Sequence, residues 1–262
     1  KKSEAKKELL NNLSNGKIEP ACYWAGEFIC AGHFADIWEI LLLFASKNIH
    51  IGNPKLPLYL ELRIENFKQI LNGGYRENIL KMRNNDKIRK LFGEIICVLC
   101  MSKKKHSFDN IKVQKDDFNI TKISYKMKAN TTDYARRVYK KEDPTELFIG
   151  VNEFCWNILK KQKNSSLACY WLEWILGFED IYKKEHKKYF AGRRDNIPVD
   201  TSYQKDIIWI IWDCLLMESN NRNKGLHKII KALLSMFCLR YKPGVRKRRK
   251  YIIYFAINLL TE

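Results

Sequence analysis

The most concentrated charge in the chain lies near its C-terminal end, where six of nine consecutive residues are basic. They are Lys242, Arg246, Lys247, Arg248, Arg249 and Lys250. Pro243-Gly244 predicts a turn, and the apolar residues after Lys250 predict a helix, which places the cluster at a helix entrance. Backbone N–H groups there are unpaired and partially positive, so basic side chains are unfavourable unless an anion binds. The pattern favours phosphate binding; a solvated charged face is the alternative.

A second basic cluster contains aromatic residues as well. Its cations are Lys183, Lys184, Lys187, Lys188, Arg193 and Arg194, and Tyr189-Phe190 stand between them. Alternating basic and aromatic side chains are typical of surfaces that track a nucleic-acid backbone and stack on its bases. A solvated loop with one packed aromatic pair explains the same pattern equally well. We take both clusters as the candidate nucleic-acid-binding residues.

Catalytic and metal-binding patterns are weak. Cys97 and Cys100 have the spacing of zinc ligands, with His106 nearby, but this gives at most three ligands where structural zinc takes four. The pair also lies in an apolar helical pattern, which favours core packing. The sequence has no G-x-S-x-G elbow, no H-E-x-x-H and no phosphate-binding loop. We therefore predict no catalytic residue, no metal site and no cofactor; an enzyme of unrecognised type remains a third functional class.

The bulk charge indicates the class of partner. The 262 residues carry a net charge of +19, and such an excess favours a polyanion such as DNA, RNA, anionic lipid or an acidic protein. Of the 48 basic residues 13 are Arg and 35 are Lys. A genome rich in A and T would raise Lys without selection for binding, but this bias does not explain the two local clusters.

Hydropathy and cysteine usage bear on the compartment. No apolar run approaches the roughly 20 residues that span a bilayer, so we predict no transmembrane segment. The eight cysteines fall mostly within apolar helical patterns, which is typical of buried free thiols. We therefore expect a reducing, intracellular compartment: cytoplasm, nucleus or a virion. Because the chain begins with Lys1 and not Met, we expect it to be a fragment of a longer protein.

The elements that must position the clusters are helices. Ala-Cys-Tyr-Trp occurs at residues 21–24 and again at 168–171, and each copy opens an apolar helical pattern. A second apolar helix follows each copy, at 36–43 and 206–212, as if one helical hairpin were used twice. Further helices are predicted at 226–241 and 245–260. The fold class is therefore all-α: duplicated helical hairpins that form a multi-helix bundle with a less regular basic middle segment.

The pattern divides the chain into an N-terminal helical half (1–105), a basic linker or irregular segment (106–142) and a C-terminal helical half (143–262). Within the middle segment, residues 110–113 and 119–123 alternate apolar and polar, which suits short edge strands or a basic loop. Asp143-Pro144 then predicts a helix start with Asp143 as the cap.

Residues 13–56 resemble the helical collar of clamp-loader-related AAA+ ATPases. The resemblance rests on Ala21–Trp24, on Ala31-Gly32-His33, on residues 44–49 and on Gly52-Asn53-Pro54. It implies an oligomerisation and packing element. The nucleotide-binding domain of that family is missing and His33-Phe34 replaces its acidic turn, so no ATPase activity is implied. The Lys-, Asn- and Ile-rich texture is similar to uncharacterised core proteins of large nucleocytoplasmic DNA viruses.

These observations predict a non-catalytic basic helical protein that binds nucleic acid within a replication, transcription or packaging assembly of a large DNA virus. The expected partners are DNA or RNA, or another polyanion, together with assembly proteins. The alternative is a virion structural protein of the minor capsid type. In that case its basic face would dock on an acidic partner or a membrane surface.

Overall fold

A computed structural model describes residues 1–75, 78–184 and 189–262, with side chains given for all of these except 182–184. The described residues form thirteen α-helices and no β-strand, which confirms the all-α prediction. They divide into two compact units, Lys1–Ser107 and Phe108–Glu262.

The first unit is built around a cluster of aromatic rings. Its described helices are α1 (Lys2–Ser14), α2 (Ile18–Cys30), α3 (Phe34–Phe44), α4 (Leu56–Ile70), α5 (Ile79–Arg83) and α6 (Asp86–Met101). α2 packs on α1, α3 and α6. Trp38 lies 5.1 Å from Phe92 and 5.7 Å from Phe67 between ring centroids, which joins α3, α6 and α4. These rings bury most of their area, and such burial is the main favourable term in folding.

The second unit is built around α11. Its described helices are α7 (Ile120–Ile123), α8 (Asp133–Arg136), α9 (Phe148–Ile158), α10 (Ser165–Lys184), α11 (Ile208–Arg222), α12 (Lys224–Cys238) and α13 (Lys250–Thr261). Residues 208–217 of α11 are apolar nearly all round, and Trp209 and Trp212 are fully buried there. α10 packs mainly on α9, and α11 packs mainly on α12.

The two Ala-Cys-Tyr-Trp copies lie in α2 and α10, and each of these helices packs most closely on the helix that precedes it. α2 also contacts α3, as the hairpin prediction requires. The second copy differs, because α11 takes α12 as its main neighbour. The repeated sequence therefore forms two similar helices whose following helices pack against different neighbours.

Residues 108–142 belong to the second unit, where the sequence suggested a linker from 106 to 142. Two polar side chains of α9 hold this segment. The Glu153 carboxylate, 3 % exposed, accepts the N–H groups of Lys128 (2.8 Å) and Ala129 (3.1 Å). Asn152 accepts the N–H of Ala135 (3.1 Å) and donates to the carbonyl of Thr131 (2.8 Å). Because buried backbone groups need partners, these bonds replace the strand pairing that the alternating pattern suggested.

Candidate functional site

The segment 242–250 forms a short 3₁₀ turn, Pro243–Val245, and further turns before α13 begins at Lys250. Five of the six basic residues therefore precede the helix, and Lys250 alone lies in its first turn. Lys242 and Arg248 are exposed, whereas Arg246 and Arg249 are each 5 % exposed. The two buried guanidinium groups are not accessible to a polyanion.

Both buried arginines bind groups of the chain itself. Arg246 forms ion pairs with Glu179 of α10 and with Asp206, and Tyr241 donates its hydroxyl to the same Asp206 at 2.8 Å. Arg249 donates to the carbonyls of Phe237 (2.8 Å) and Leu239 (2.7 Å) at the C-terminal end of α12. A cation at that end binds the unpaired carbonyls and the negative end of the helix dipole.

The two lysines of the segment face carboxylates of α10. Lys247 pairs with Asp180, and Lys250 Nζ lies 2.6 Å from Glu173 Oε1. Tyr254 donates its hydroxyl to Glu173 as well. Of the strongest sequence candidates, four cations are thus engaged with the protein's own acceptors. These contacts attach the start of α13 to α10 and α12, so the four cations have a structural role.

Arg194 of the second cluster is an internal residue, 1 % exposed. Its Nε donates to Asp213 Oδ2 at 2.9 Å, its Nη1 to the carbonyl of Gly192 at 2.6 Å, and its guanidinium pairs with Asp143. Asp143 does not cap α9 as the sequence suggested. Burial raises its pKa, but bonds from Arg194 and from two backbone N–H groups outweigh this and hold the pKa below its usual value.

Of the other cations in that cluster, Arg193 is the one whose side chain lies within the described residues. Arg193 is exposed and pairs with Asp195 at 2.7 Å. Lys187 and Lys188 lie outside the described residues, as do the side chains of Lys183 and Lys184. The interleaved aromatics separate: the Tyr189 ring packs 5.7 Å from Phe178, and Phe190 is 58 % exposed.

A cleft of about 650 Å³ lies between α10, residues 113–118 and the 247–250 segment. Its lining residues are Val113, Lys115, Phe118, Glu173, Leu176, Gly177, Asp180, Ile181, Lys247 and Lys250. Glu173 and Asp180 neutralise Lys250 and Lys247, which leaves Lys115 as the one unbalanced charge among the described lining residues, so the cleft attracts a charged ligand only weakly.

The exposed face of α12 is different, and the sequence clusters missed it. Lys224, His227, Lys228 and Lys231 lie at i, i+3, i+4 and i+7, which places them on one side of the helix. α12 contains no Asp or Glu. Its opposite side buries apolar residues, namely Ile230, Leu233 and Phe237. The Asn223 side chain accepts the N–H of Leu226 at 2.7 Å and so fixes the first turn.

Two more lysines lie at the same end of the unit. Lys160 and Lys161 follow α9, and the Lys160 N–H donates to Glu218 Oε1 at 3.2 Å. Glu218 pairs with Arg222, whose guanidinium also donates to the carbonyls of Ile158 and Leu260, the last turns of α9 and α13. α12 begins two residues after Arg222, so these contacts bring the α9 end and the α12 start together.

We call Lys160, Lys161, Lys224, Lys228 and Lys231 the basic end. All five lysines are exposed. Among the residues with described side chains, none of these five ammonium groups takes part in an ion pair. The signal in the sequence was present but weak: lysines at helical spacing with no intervening carboxylate, distributed over eight residues instead of concentrated in a run.

His227 lies beside the basic end, and its pKa responds to the positive electrostatic potential there. Its Nδ1 lies 3.0 Å from the Ser219 hydroxyl oxygen of α11. Partial burial and the nearby Lys231 ammonium lower the pKa of His227 from its ordinary value of 6.5. The imidazole is therefore mainly neutral at pH 7.

Comparison of the chain with protein-family models, with curated proteins and with solved structures gives no match. Within the described residues, no three His, Cys, Asp or Glu side chains are arranged to hold a metal ion. No described helix is both long enough and apolar enough to cross a membrane.

Proposed function

We propose that this protein is a non-catalytic helical module that binds nucleic acid through its basic end. The observation that carries the proposal is the exposed side of α12, where lysines at helical spacing form no ion pair with any acidic side chain that the structure describes. Like charges held together without counter-charges repel one another, and a polyanion relieves that repulsion.

The geometry suits contact with a phosphate backbone. The rise of an α-helix places Lys224 and Lys231 about 10 Å apart along α12, a length that spans roughly three phosphates of one DNA strand. Lysine acts as a flexible point charge and does not read base edges as a bidentate arginine does. We therefore expect weak sequence preference, Kd of about 10⁻⁴–10⁻⁶ M at physiological salt, and a strong salt dependence.

The test compares two variants with the same total charge. In K224Q/K228Q/K231Q and in the control K6Q/K7Q/K17Q, three exposed lysines are replaced, so each net charge falls by three from +19. Binding to labelled oligonucleotides is followed by fluorescence anisotropy over a range of salt concentrations. We expect the α12 variant to lose at least about 10-fold in affinity at low salt and its log–log salt slope to fall by about 2–3.

The control should change affinity by less than about 2-fold at the same salt. Equal losses in both variants would show that total charge, and not the basic end, determines binding. A third variant, K242Q/R248Q, tests whether the exposed residues of the 242–250 segment add phosphate contacts. We expect a smaller loss than for α12, because the other four cations of that cluster bind acceptors of the protein itself.

A further inference from the structure

Two thiols of the second unit lie in direct contact inside the core. Cys155 of α9 and Cys214 of α11 are 59 residues apart in sequence, yet their Sγ atoms are 3.0 Å apart. Cys155 is 2 % exposed and Cys214 is fully buried. Helix packing alone brings them together, because α9 and α11 are direct neighbours.

We propose that Cys155 and Cys214 are a disulfide-forming pair, which a small-molecule disulfide such as oxidised glutathione converts from dithiol to cystine. The first thiolate attacks the small disulfide to give a mixed disulfide and releases one small thiol. The second protein thiolate then attacks the protein sulfur of that mixed disulfide and releases the other. Two protein S–H bonds are lost, one S–S bond forms, and the oxidant is reduced to two thiols.

Burial controls when this reaction occurs. It raises the pKa of the Cys214 thiol well above its usual value, so the reactive thiolate is scarce in the closed core. Exchange therefore proceeds while the chain folds, or during local opening of α9 from α11. Once the core has closed, the same burial protects the bond from external thiols.

The bond would connect the two central helices across a loop of 59 residues. A cross-link of that span removes much of the freedom of the unfolded chain, which stabilises the folded state. Neither cysteine belongs to the basic end, so the oxidation state should alter stability and leave nucleic-acid affinity unchanged.

The experiment starts from reduced, unfolded full-length chain, which is refolded in a buffer of reduced and oxidised glutathione. The product is quenched with acid, alkylated and mapped by peptide mass spectrometry. Eight cysteines allow 28 single pairs (8 × 7 / 2), so random oxidation gives Cys155–Cys214 in about one product in 28. We expect this pair to dominate, with the other six cysteines alkylated.

The matched variants are C155S and C238S, each of which removes one buried thiol. C155S should lose the linked peptide and C238S should retain it. The oxidised wild type should melt about 5 °C or more above its reduced form, and a reductant should reverse the difference. A second sample of folded protein, oxidised in urea below the unfolding midpoint, covers the case in which refolding is incomplete.

Dominance of another pair would overturn the proposal. Cys22–Cys97 is the main competitor, because burial and the nearby Cys97 thiol raise the pKa of Cys22. Alkylation of both Cys155 and Cys214 in chains that have regained native helicity would overturn it as well.

Discussion

Arg193 and Arg194 are adjacent in sequence and have opposite environments. Arg193 is a surface residue that pairs with exposed Asp195, whereas Arg194 lies inside the unit between Asp143 and Asp213. Nothing local in the sequence separates the two. The burial of Arg194 depends on carboxylates 51 and 19 residues away, so only the assembled fold identifies it.

Replacing Arg194 should be far more harmful than replacing its neighbour. R194M leaves Asp143 and Asp213 without their cation, and breaking a buried pair costs about 3–5 kcal/mol of unfolding free energy. R193M removes an exposed ion pair and a hydrogen bond from Arg193 Nε to Gln204 Oε1 (2.9 Å), and should cost about 1–2 kcal/mol. Urea denaturation of both variants measures the difference. Similar stabilities would show that the internal network is not formed in solution.

His227 allows a prediction about pH. Because the Lys231 ammonium helps lower the pKa of His227, K231Q should raise that pKa towards 6.5, and K224Q should change it less. Bound nucleic acid should raise it further, since phosphates favour the imidazolium. By linkage, affinity then increases as the pH falls below 6.5, while the free protein, whose folded pKa is depressed, loses some stability over the same range.

NMR titration of the imidazole with and without an oligonucleotide measures these shifts. A His227 pKa that nucleic acid leaves unchanged would place the binding surface away from α12.

At the scale of elements, periodicity predicted the helices well and their partners poorly. The sequence placed helices at 226–241 and 245–260, and the structure has them at Lys224–Cys238 and Lys250–Thr261. Within the alternating residues 119–123, Asn119 caps the short helix α7 (Ile120–Ile123), and no strand forms there. Apolar spacing reports which face of an element is buried, but the side chains that bind a loop's backbone come from elsewhere in the chain.

Replacing Asn152 should detach the middle segment (residues 108–142) from α9. N152A removes the acceptor for the Ala135 N–H and the donor to Thr131, leaving both backbone groups unpaired. We expect a loss of about 1–3 kcal/mol. Hydrogen exchange should show faster exchange of the Ala135 amide, whereas α11 and α12 stay protected. Uniformly faster exchange across the second unit would mean that the segment is part of its cooperative core.

At the scale of the molecule, composition cannot distinguish the cations that stabilise the fold from those that remain on the surface, such as the lysines of the basic end. Some cations bind carbonyls at helix C-termini: Arg222 binds those of α9 and α13, Arg249 those of α12, and Arg83 donates to Ala31 after α2 at 3.1 Å. These side chains satisfy groups that a helix leaves unpaired. The sequence therefore predicted a basic surface but not its location, because four of the six cations in the densest cluster bind acceptors of the protein itself.

The remaining excess predicts opposite effects of salt on stability and on binding. Each unit is basic by itself: residues 1–107 carry 18 basic and 11 acidic side chains, and residues 108–262 carry 30 and 18. Exposed like charges repel, and salt screens them over a Debye length of about 10 Å at 0.1 M. Buried pairs such as Arg194–Asp143 are screened much less. Raising NaCl from about 50 to about 300 mM should therefore raise the melting temperature by a few degrees.

The same salt should weaken oligonucleotide binding, because the counterions that binding releases from the phosphates gain less entropy when the surrounding salt is more concentrated. Thermal unfolding and anisotropy on one set of samples measure both trends. The triple variant K224Q/K228Q/K231Q removes exposed repulsion, so its melting temperature should depend less on salt than that of the wild type. If salt lowered the melting temperature instead, surface ion pairs would contribute more to stability than the repulsion among exposed cations takes away.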